Sequence, residues 1–413
     1  MLERHEARIQ AMTRQALGLR ARRRALRRGI HDGATRAGDR PGVNTHASLL
    51  RWYRRHRREL PWRQTRDPYA IWVAETMLQQ TRSETVLRYY PRFLRRFPNV
   101  STLAQAPERA VLAAWSGLGY YARARHLRLA ARQIVARHGG ELPGDPQALR
   151  SLPGIGRYTA GAVASIAFGI PTPVLDGNVA RVFARHFKVR GPIRRPAVAA
   201  TLWQIAEDLV DRSSPGDWNQ ALMELGARLC TPRAPACARC PLRPSCAAYH
   251  TGWVARLPDP PSRRSPRRVR RACLVLEGDG RVLMIRHDRG PLLRGLWEFP
   301  TAEPRRGEAL EAAAQRELAR LGVRCRALRE GVRILHTITD RRIETFVFHA
   351  RLDRRVRERR PGARWFRHRE LDGIPLSSVG LRIAAGLSSG DDRVDWPPGA
   401  STAIPPPELR SQD

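Results

Sequence analysis

Apolar residues recur at spacings of three and four in the stretches 69–90, 107–115, 123–137, 160–167 and 198–210. That spacing gathers them on one face of a helix. Breakers divide the runs, among them Pro98-Asn99, Gly139-Gly140 and Pro143-Gly144. From Ala47 to Tyr249 no strand-like alternation appears, so 47–254 is expected to form one all-α domain. After residue 270 the pattern changes. The stretches 271–277 and 281–286 read as strands, joined at Gly278-Asp279-Gly280 by a turn of hairpin type. The stretch 310–321 reads as helix and 343–352 as strand, so 271–389 is expected to be an α+β domain. Between the two, 255–270 alternates prolines (Pro258, Pro260, Pro261, Pro266) with arginines, the composition of a stiff, extended linker. No apolar run reaches the roughly 18 residues a spanning helix needs. The longest, 160–170, ends at Pro171.

Length agrees with this division: 413 residues suit two or three domains, and 42% hydrophobic residues suffice for packed cores. The formal net charge of +37 favours a polyanionic partner, above all nucleic acid. Lys188 is the sole lysine, however, so the charge is nearly all arginine. Such a skew also follows from a GC-rich genome, and the motifs must decide. Residues 1–46 carry an arginine-rich stretch around Arg22, Arg23, Arg24, Arg27 and Arg28 and are expected to be a disordered extension. A DNA-binding arm and a mitochondrial transit segment are the alternatives. The Pro-rich tail, 390–413, is also expected to be disordered. The first 30 residues lack the apolar segment of a secretory signal, so a cytoplasmic protein of the bacterial nucleoid is expected.

Two motifs carry chemistry on their own. In Leu152-Pro153-Gly154-Ile155-Gly156-Arg157-Tyr158, two glycines one residue apart make a tight hairpin opening into a helix. The amides at Gly154 and Gly156 and the helix N-terminus then face one spot, which suits a DNA phosphate. Four of the six cysteines, Cys230, Cys237, Cys240 and Cys246, fall within one short stretch. Thiolates at that density bind zinc or an iron–sulfur cluster. Only Cys237 and Cys240 form a Cys-x2-Cys pair, so the asymmetric run fits one 4Fe–4S cluster better. Arg228, Arg233, Arg239 and Arg243 make the same loop basic.

The hairpin followed by that cysteine loop resembles the helix-hairpin-helix glycosylase superfamily of endonuclease III type. More narrowly, residues 47–385 resemble the adenine-DNA glycosylases of the MutY type. The matching stretches are Leu60-Pro61-Trp62-Arg63, Ile71-Trp72-Val73-Ala74-Glu75-Thr76-Met77-Leu78-Gln79-Gln80-Thr81, Gly117-Leu118-Gly119-Tyr120-Tyr121-Ala122-Arg123-Ala124-Arg125 and Leu175-Asp176-Gly177-Asn178-Val179. The resemblance implies a base-excision repair enzyme of double-stranded DNA. It would flip out adenine mispaired with 8-oxoguanine or guanine and hydrolyse its N-glycosidic bond, preventing G:C to T:A transversions. It also implies one 4Fe–4S cluster and a monomer with no membrane association.

The residues suit that reaction. Breaking the bond needs an acid for the departing base and an anion near the sugar, where positive charge develops. Glu75, mid-helix among apolar neighbours, is expected to be buried, which favours its protonated, acidic form. Asp176, at an element end, is expected to face the sugar. By resemblance, Glu75 protonates adenine N7 and Asp176 faces the oxocarbenium ion. Asn178 would orient Asp176 and a water. In the related bifunctional lyases the position of Tyr158 is a Schiff-base lysine; a tyrosine there implies a monofunctional enzyme. Gln80 and Tyr120 match the wedge that fills the helix beside the flipped base, flanked by Gln79 and Thr81 on the DNA-binding stretch. Trp62, Arg63, Leu78 and Gln220 match the adenine pocket.

The second domain echoes a Nudix box in Glu308 and Arg316-Glu317-Leu318-Ala319-Arg320-Leu321-Gly322-Val323. Arg320 and Leu321 stand where metal-binding carboxylates belong, so a fold reused for binding, reading 8-oxoguanine, is expected in place of a pyrophosphatase. Thr339 keeps a hydroxyl where the family often has serine, whereas Asp340 replaces a histidine. Three rivals remain. A lysine-based lyase for pyrimidine lesions is opposed by Tyr158, a non-catalytic DNA-binding protein by Glu75 and Asp176, and a Nudix hydrolase by the missing carboxylates.

Overall fold

The computed structural model of the chain describes residues 45–260, 267–290, 293–325, 327–338, 340–352 and 362–389. Nearly all of the 1–46 extension, the tail, part of the linker and Thr339 lie outside the described residues. Helices run in the order α1 (Thr45–His56), α2 (Pro68–Leu78), α3 (Ser83–Arg96), α4 (Val100–Gln105), α5 (Glu108–Ala114), α6 (Ala122–His138), α7 (Pro146–Arg150), α8 (Arg157–Phe168), α9 (Gly177–His186), α10 (Pro196–Leu209), α11 (Pro215–Arg228) and α12 (Ala247–His250). Strands β1 (Arg267–Gly278), β2 (Arg281–Arg286), β3 (Trp297–Glu298) and β4 (Thr301–Ala302) follow. Then come α13 (Leu310–Leu321), β5 (Arg329–Ile338), β6 (Arg341–Arg351), β7 (Ala363–Arg367) and α14 (Ser378–Ser389).

The chain divides into two compact units, and the division cuts through the helical region 47–254. One unit takes residues 1–66, 144–147 and 156–262; the other takes 67–143, 148–155 and 263–413. The first is built on α1 and α8–α12. Its core joins Leu49 and Tyr53 of α1 to Val182 and Phe183 of α9, Leu202 of α10 and Trp218, Leu222 and Leu225 of α11.

The second unit holds α2–α6 and the sheet. The sheet order is β3-β2-β1-β6-β5, with β4 on β1 and β7 on β2. β1 and β6 run parallel and the other pairs antiparallel. Central β1 is covered on both faces: Ala272, Leu274 and Leu276 pack with α13, and Cys273 and Val275 with α14. Burial on both sides explains why this strand reads as a continuous apolar run without alternation. The β1–β2 turn has Asp279 and Gly280 at φ 49° and 65°, the type I′ geometry that suits a two-residue hairpin.

Two boundaries depart from the periodicity. The 69–90 run is two helices, α2 and α3, not one. The buried guanidinium of Arg123 accounts for the break: it donates to the carbonyls of Thr76 and Met77, satisfying the end of α2 where the next turn of helix would have done so. β1 begins at Arg267, taking in the last four residues of the expected 255–270 linker, and pairs Arg267 with Arg341 of β6. An arginine-rich stretch hides this strand from an apolar pattern, because ladder bonds come from the backbone and only Val269 of the first four residues is buried.

Candidate active site and cluster loop

In the second unit, α2 starts where the Asp67 carboxylate accepts from the amides of Tyr69 (3.0 Å) and Ala70 (3.3 Å), with Pro68 in the first turn. Every residue from Tyr69 to Met77 is buried, and Glu75 among them is 4% exposed. At the far end Leu78, Gln79 and Thr81 are half-buried and Gln80 is exposed. Gln80 has φ 59° and Tyr120 φ 48°, both in the left-handed region that side chains beyond glycine rarely enter. Tyr120 is 48% exposed, large and aromatic at the surface. Gly154 has φ 77°, and a Cβ there would lie 2.6 Å from His126 Cβ, so the hairpin requires glycine.

In the first unit, Gly156 precedes α8 and Tyr158 sits in its first turn, its hydroxyl donating to Met223 Sδ at 3.2 Å. Asp176 is the N-cap of α9: its Oδ1 accepts from the Val179 amide at 2.7 Å. Its Oδ2 accepts from Asn178 Nδ2 at 2.9 Å, and Asn178 Oδ1 accepts in turn from Arg181 at 2.9 Å. Burial pushes the Asp176 carboxyl above its ordinary value, against the pull of the Val179 and Asn178 donors and of Arg181. The carboxylate is thus fixed in place by its cap while its second oxygen is steered by a side chain.

Trp62 and Arg63 lie just beyond α1, and Gln220 is buried on α11. Arg63 is anchored by Glu224 at 2.9 Å, which also accepts two bonds from Arg58 Nε and Nη2 at 2.9 and 2.8 Å. Burial alone would raise the Glu224 carboxyl, but the two guanidiniums outweigh it and hold it down to about 2.

The cysteine loop hangs from α9 and α11. Buried Arg185 donates to the carbonyls of Thr231 (2.7 Å), Pro232 (3.0 Å) and Leu257 (2.8 Å) and approaches Cys230 Sγ at 3.4 Å. Arg181 donates to the Cys230 carbonyl at 2.7 Å and so joins this loop to Asn178. Burial pushes the Cys240 thiol up to about 12, and the Cys230, Cys246 and Cys237 thiols push the same way. As thiolates, four cysteines in one short loop repel one another unless a cationic group lies among them. Among the described residues no three His, Cys, Asp or Glu gather closely enough for a single metal ion.

On the sheet domain, the Nudix-box carboxylates are engaged by arginines. Glu308 accepts from Arg316 Nε and Nη2, each at 2.9 Å, and Glu317 from Arg320 at 2.8 and 2.7 Å. The β5–β6 hairpin pairs Ile338 with Arg341. Its Thr339 is the one expected site residue outside the described residues.

Residues 73–208 match the HhH-GPD superfamily of base excision DNA repair proteins, and residues 271–385 match the NUDIX domain. The adenine DNA glycosylase of Homo sapiens is 37% identical over 395 residues, spanning 81% of this chain and 72% of the relative. This chain belongs to the adenine DNA glycosylase family. The Mus musculus enzyme is 36% identical over 82% of this chain and 76% of its own length. A solved thermostable thymine-DNA glycosylase aligns with half of this chain and 94% of its own at 32% identity, with a TM-score of 0.46. The expected class of fold, a helix-hairpin-helix domain with a Nudix-like partner, stands with the two family matches at residues 73–208 and 271–385.

Arg123 lies in the matching stretch 117–125, where the sequence assigns it no role, and three further residues of this glycosylase lie outside every motif: Arg181, Arg185 and Glu224. Each acts on backbone or side chains far along the chain. In a sequence so rich in arginine, nothing local sets them apart.

Proposed function

We propose that this chain excises adenine mispaired with 8-oxoguanine or guanine in duplex DNA. The observation that carries the reading is the Asp176 carboxylate, half-buried and held by the Val179 amide and the Asn178 side chain. A cap needs only one oxygen; the second, steered by Asn178, is an anion placed for a reaction. Glu75, buried on α2, serves as the acid.

Once the adenine is flipped, with Gln80 and Tyr120 filling the gap, Glu75 gives its proton to N7. The C1′–N9 bond breaks and its electron pair leaves with the base. Positive charge on the sugar is met by Asp176, and a water adds at C1′ with loss of a proton. Trp62, Arg63, Leu78 and Gln220 frame the base, and the Gly154–Gly156 hairpin takes a backbone phosphate. Tyr158 leaves no amine for a Schiff base, so the abasic strand is not cut. Cys230, Cys237, Cys240 and Cys246 would hold one 4Fe–4S cluster, whose positive core would offset part of the thiolate charge and tie down a loop bearing Arg233, Arg239 and Arg243. The Nudix-like domain reads 8-oxoguanine through the Thr339 hairpin. The enzyme acts as a monomer on DNA in the bacterial cytoplasm.

Single-turnover adenine release tests this, with one A placed opposite 8-oxoguanine, G or T. Fast release with the lesion, slower with G and none with T is expected. Glu75→Gln should abolish release while sparing duplex affinity. Release from none of the three duplexes by chain with intact cluster absorbance would overturn the reading, and full activity in Glu75→Gln would overturn the acid assignment.

A further inference from the structure

The two exposed residues assigned to the wedge, Gln80 and Tyr120, sit on separate turns, and both turns close on one buried side chain. Arg123 is 8% exposed. Its Nη1 donates to the carbonyls of Thr76 (3.0 Å), Met77 (2.7 Å) and Gln79, the residues leading into the Gln80 turn. Its Nη2 donates to the Thr81 hydroxyl (3.1 Å) just beyond that turn. The same nitrogen donates to the carbonyls of Leu118 (3.2 Å) and Gly119 (3.1 Å), which lead into the Tyr120 turn. Nε reaches the Tyr120 carbonyl itself at 3.4 Å. The guanidinium also lies 5.6 Å from the centre of the Tyr120 ring and 5.4 Å from that of Trp115.

This arrangement is expensive. A charge is taken out of water, and two residues other than glycine are kept at positive φ, each costing about 1 kcal/mol or more. Burial lowers the Arg123 pKa to about 10, so the group stays cationic at neutral pH. Simple termination of α2 needs only the bonds to Thr76 and Met77. The remaining bonds do something else: they set the Gln80 turn and the Tyr120 turn at a fixed separation. A planar fork of five N–H donors serves two loops at once, which an ammonium on a flexible stem does not.

We propose that Arg123 is a positioning residue that locks Gln80 and Tyr120 into one rigid, two-pronged wedge before DNA arrives. It touches neither base nor sugar and acts through the two prongs. The wedge then enters the duplex without having to order two loops at that moment, and base flipping is faster for it. The proposal rests on the glycosylase reading for what the wedge does.

The test uses the full chain carrying Arg123→Met or Arg123→Lys, each also combined with Gln80→Ala and Tyr120→Ala. Single-turnover adenine release is measured on a duplex with A opposite 8-oxoguanine, alongside thermal unfolding. In the otherwise native chain both Arg123 variants should slow release by roughly 10- to 100-fold, the scale of a small misplacement of positioned groups. Without the two prongs, the same Arg123 changes should slow release by less than about threefold, because nothing remains to be positioned. An equal loss in both backgrounds would mark Arg123 as general scaffolding, and a native rate for Arg123→Lys would also overturn the proposal. If Arg123→Met does not fold, Arg123→Lys carries the comparison. Fluorescence of a 2-aminopurine beside the target base reads wedge entry without chemistry. Should the native chain release no adenine from any duplex, the glycosylase reading fails, and an unchanged fluorescence response in Arg123→Lys would then be what overturns the wedge.

Discussion

Glu224 is completely buried, yet its carboxyl is held near 2 because Arg58 and Arg63 close on it from one side. Its ordinary value is 4.5. A depressed carboxylate lends stability that is fully present above that ordinary value and is lost as pH falls toward the folded one. Replacing it by Gln leaves two guanidiniums without their anion and should cost about 3 kcal/mol at neutral pH. Urea unfolding from pH 7 downward should show the gap between native chain and Glu224→Gln narrowing between 4.5 and about 2. A constant gap would mean that the carboxyl is not ionised in the fold. At this scale the chemistry was partly legible. Glu75 announced its burial by its apolar neighbours. Asp176 is a helix cap and a candidate catalytic anion together. Glu224 was invisible, since its partners lie more than 150 residues away.

At the scale of elements, the packing of α9 on α11 decides how Asp176 is aimed. Gly226 of α11 lies under Asn178, and a Cβ there would come within 2.6 Å of Asn178 Cβ. Neither side can yield, because Arg181 of α9 donates to the Gly226 carbonyl at 2.8 Å and holds the two helices together. Gly226→Ala should therefore push Asn178 off the Asp176 carboxylate, at an overpacking cost of about 1–3 kcal/mol. Single-turnover adenine release should fall at least about 10-fold, with a smaller effect on duplex affinity. An unchanged rate would show that Asn178 does not steer Asp176. The helices themselves were legible wherever one face is apolar, as in 107–115 and 198–210. The 69–90 run hid the break between α2 and α3, because both halves present apolar residues and the interrupting Arg123 comes from α6. Strand β1 was foreshortened because its first residues are arginines that offer only their backbone to β6.

For the whole molecule, the +37 charge does not count DNA contacts. Arg123, Arg125 and Arg185 are buried, and Arg58, Arg63, Arg316 and Arg320 are taken up by carboxylates. The rest still make a strongly basic surface. Affinity for undamaged duplex should fall on the order of 10³-fold between 50 and 200 mM salt if about six phosphates are contacted. Titration by fluorescence anisotropy checks this, and a flat salt dependence would leave the arginines as composition alone. Among the described residues no helix is long and apolar enough to cross a membrane. The sequence by itself determined what is local: the helical and α+β regions, the hairpin glycines, the cysteine run, Tyr158 in place of a lysine, and the family they spell. Periodicity and spacing are short-range, and short-range order is what a chain carries on its face. The tertiary structure alone decided which arginines are structural, where α2 stops, what aims Asp176 and what holds the Gln80 and Tyr120 turns. Those depend on buried charges finding partners that only folding brings within reach.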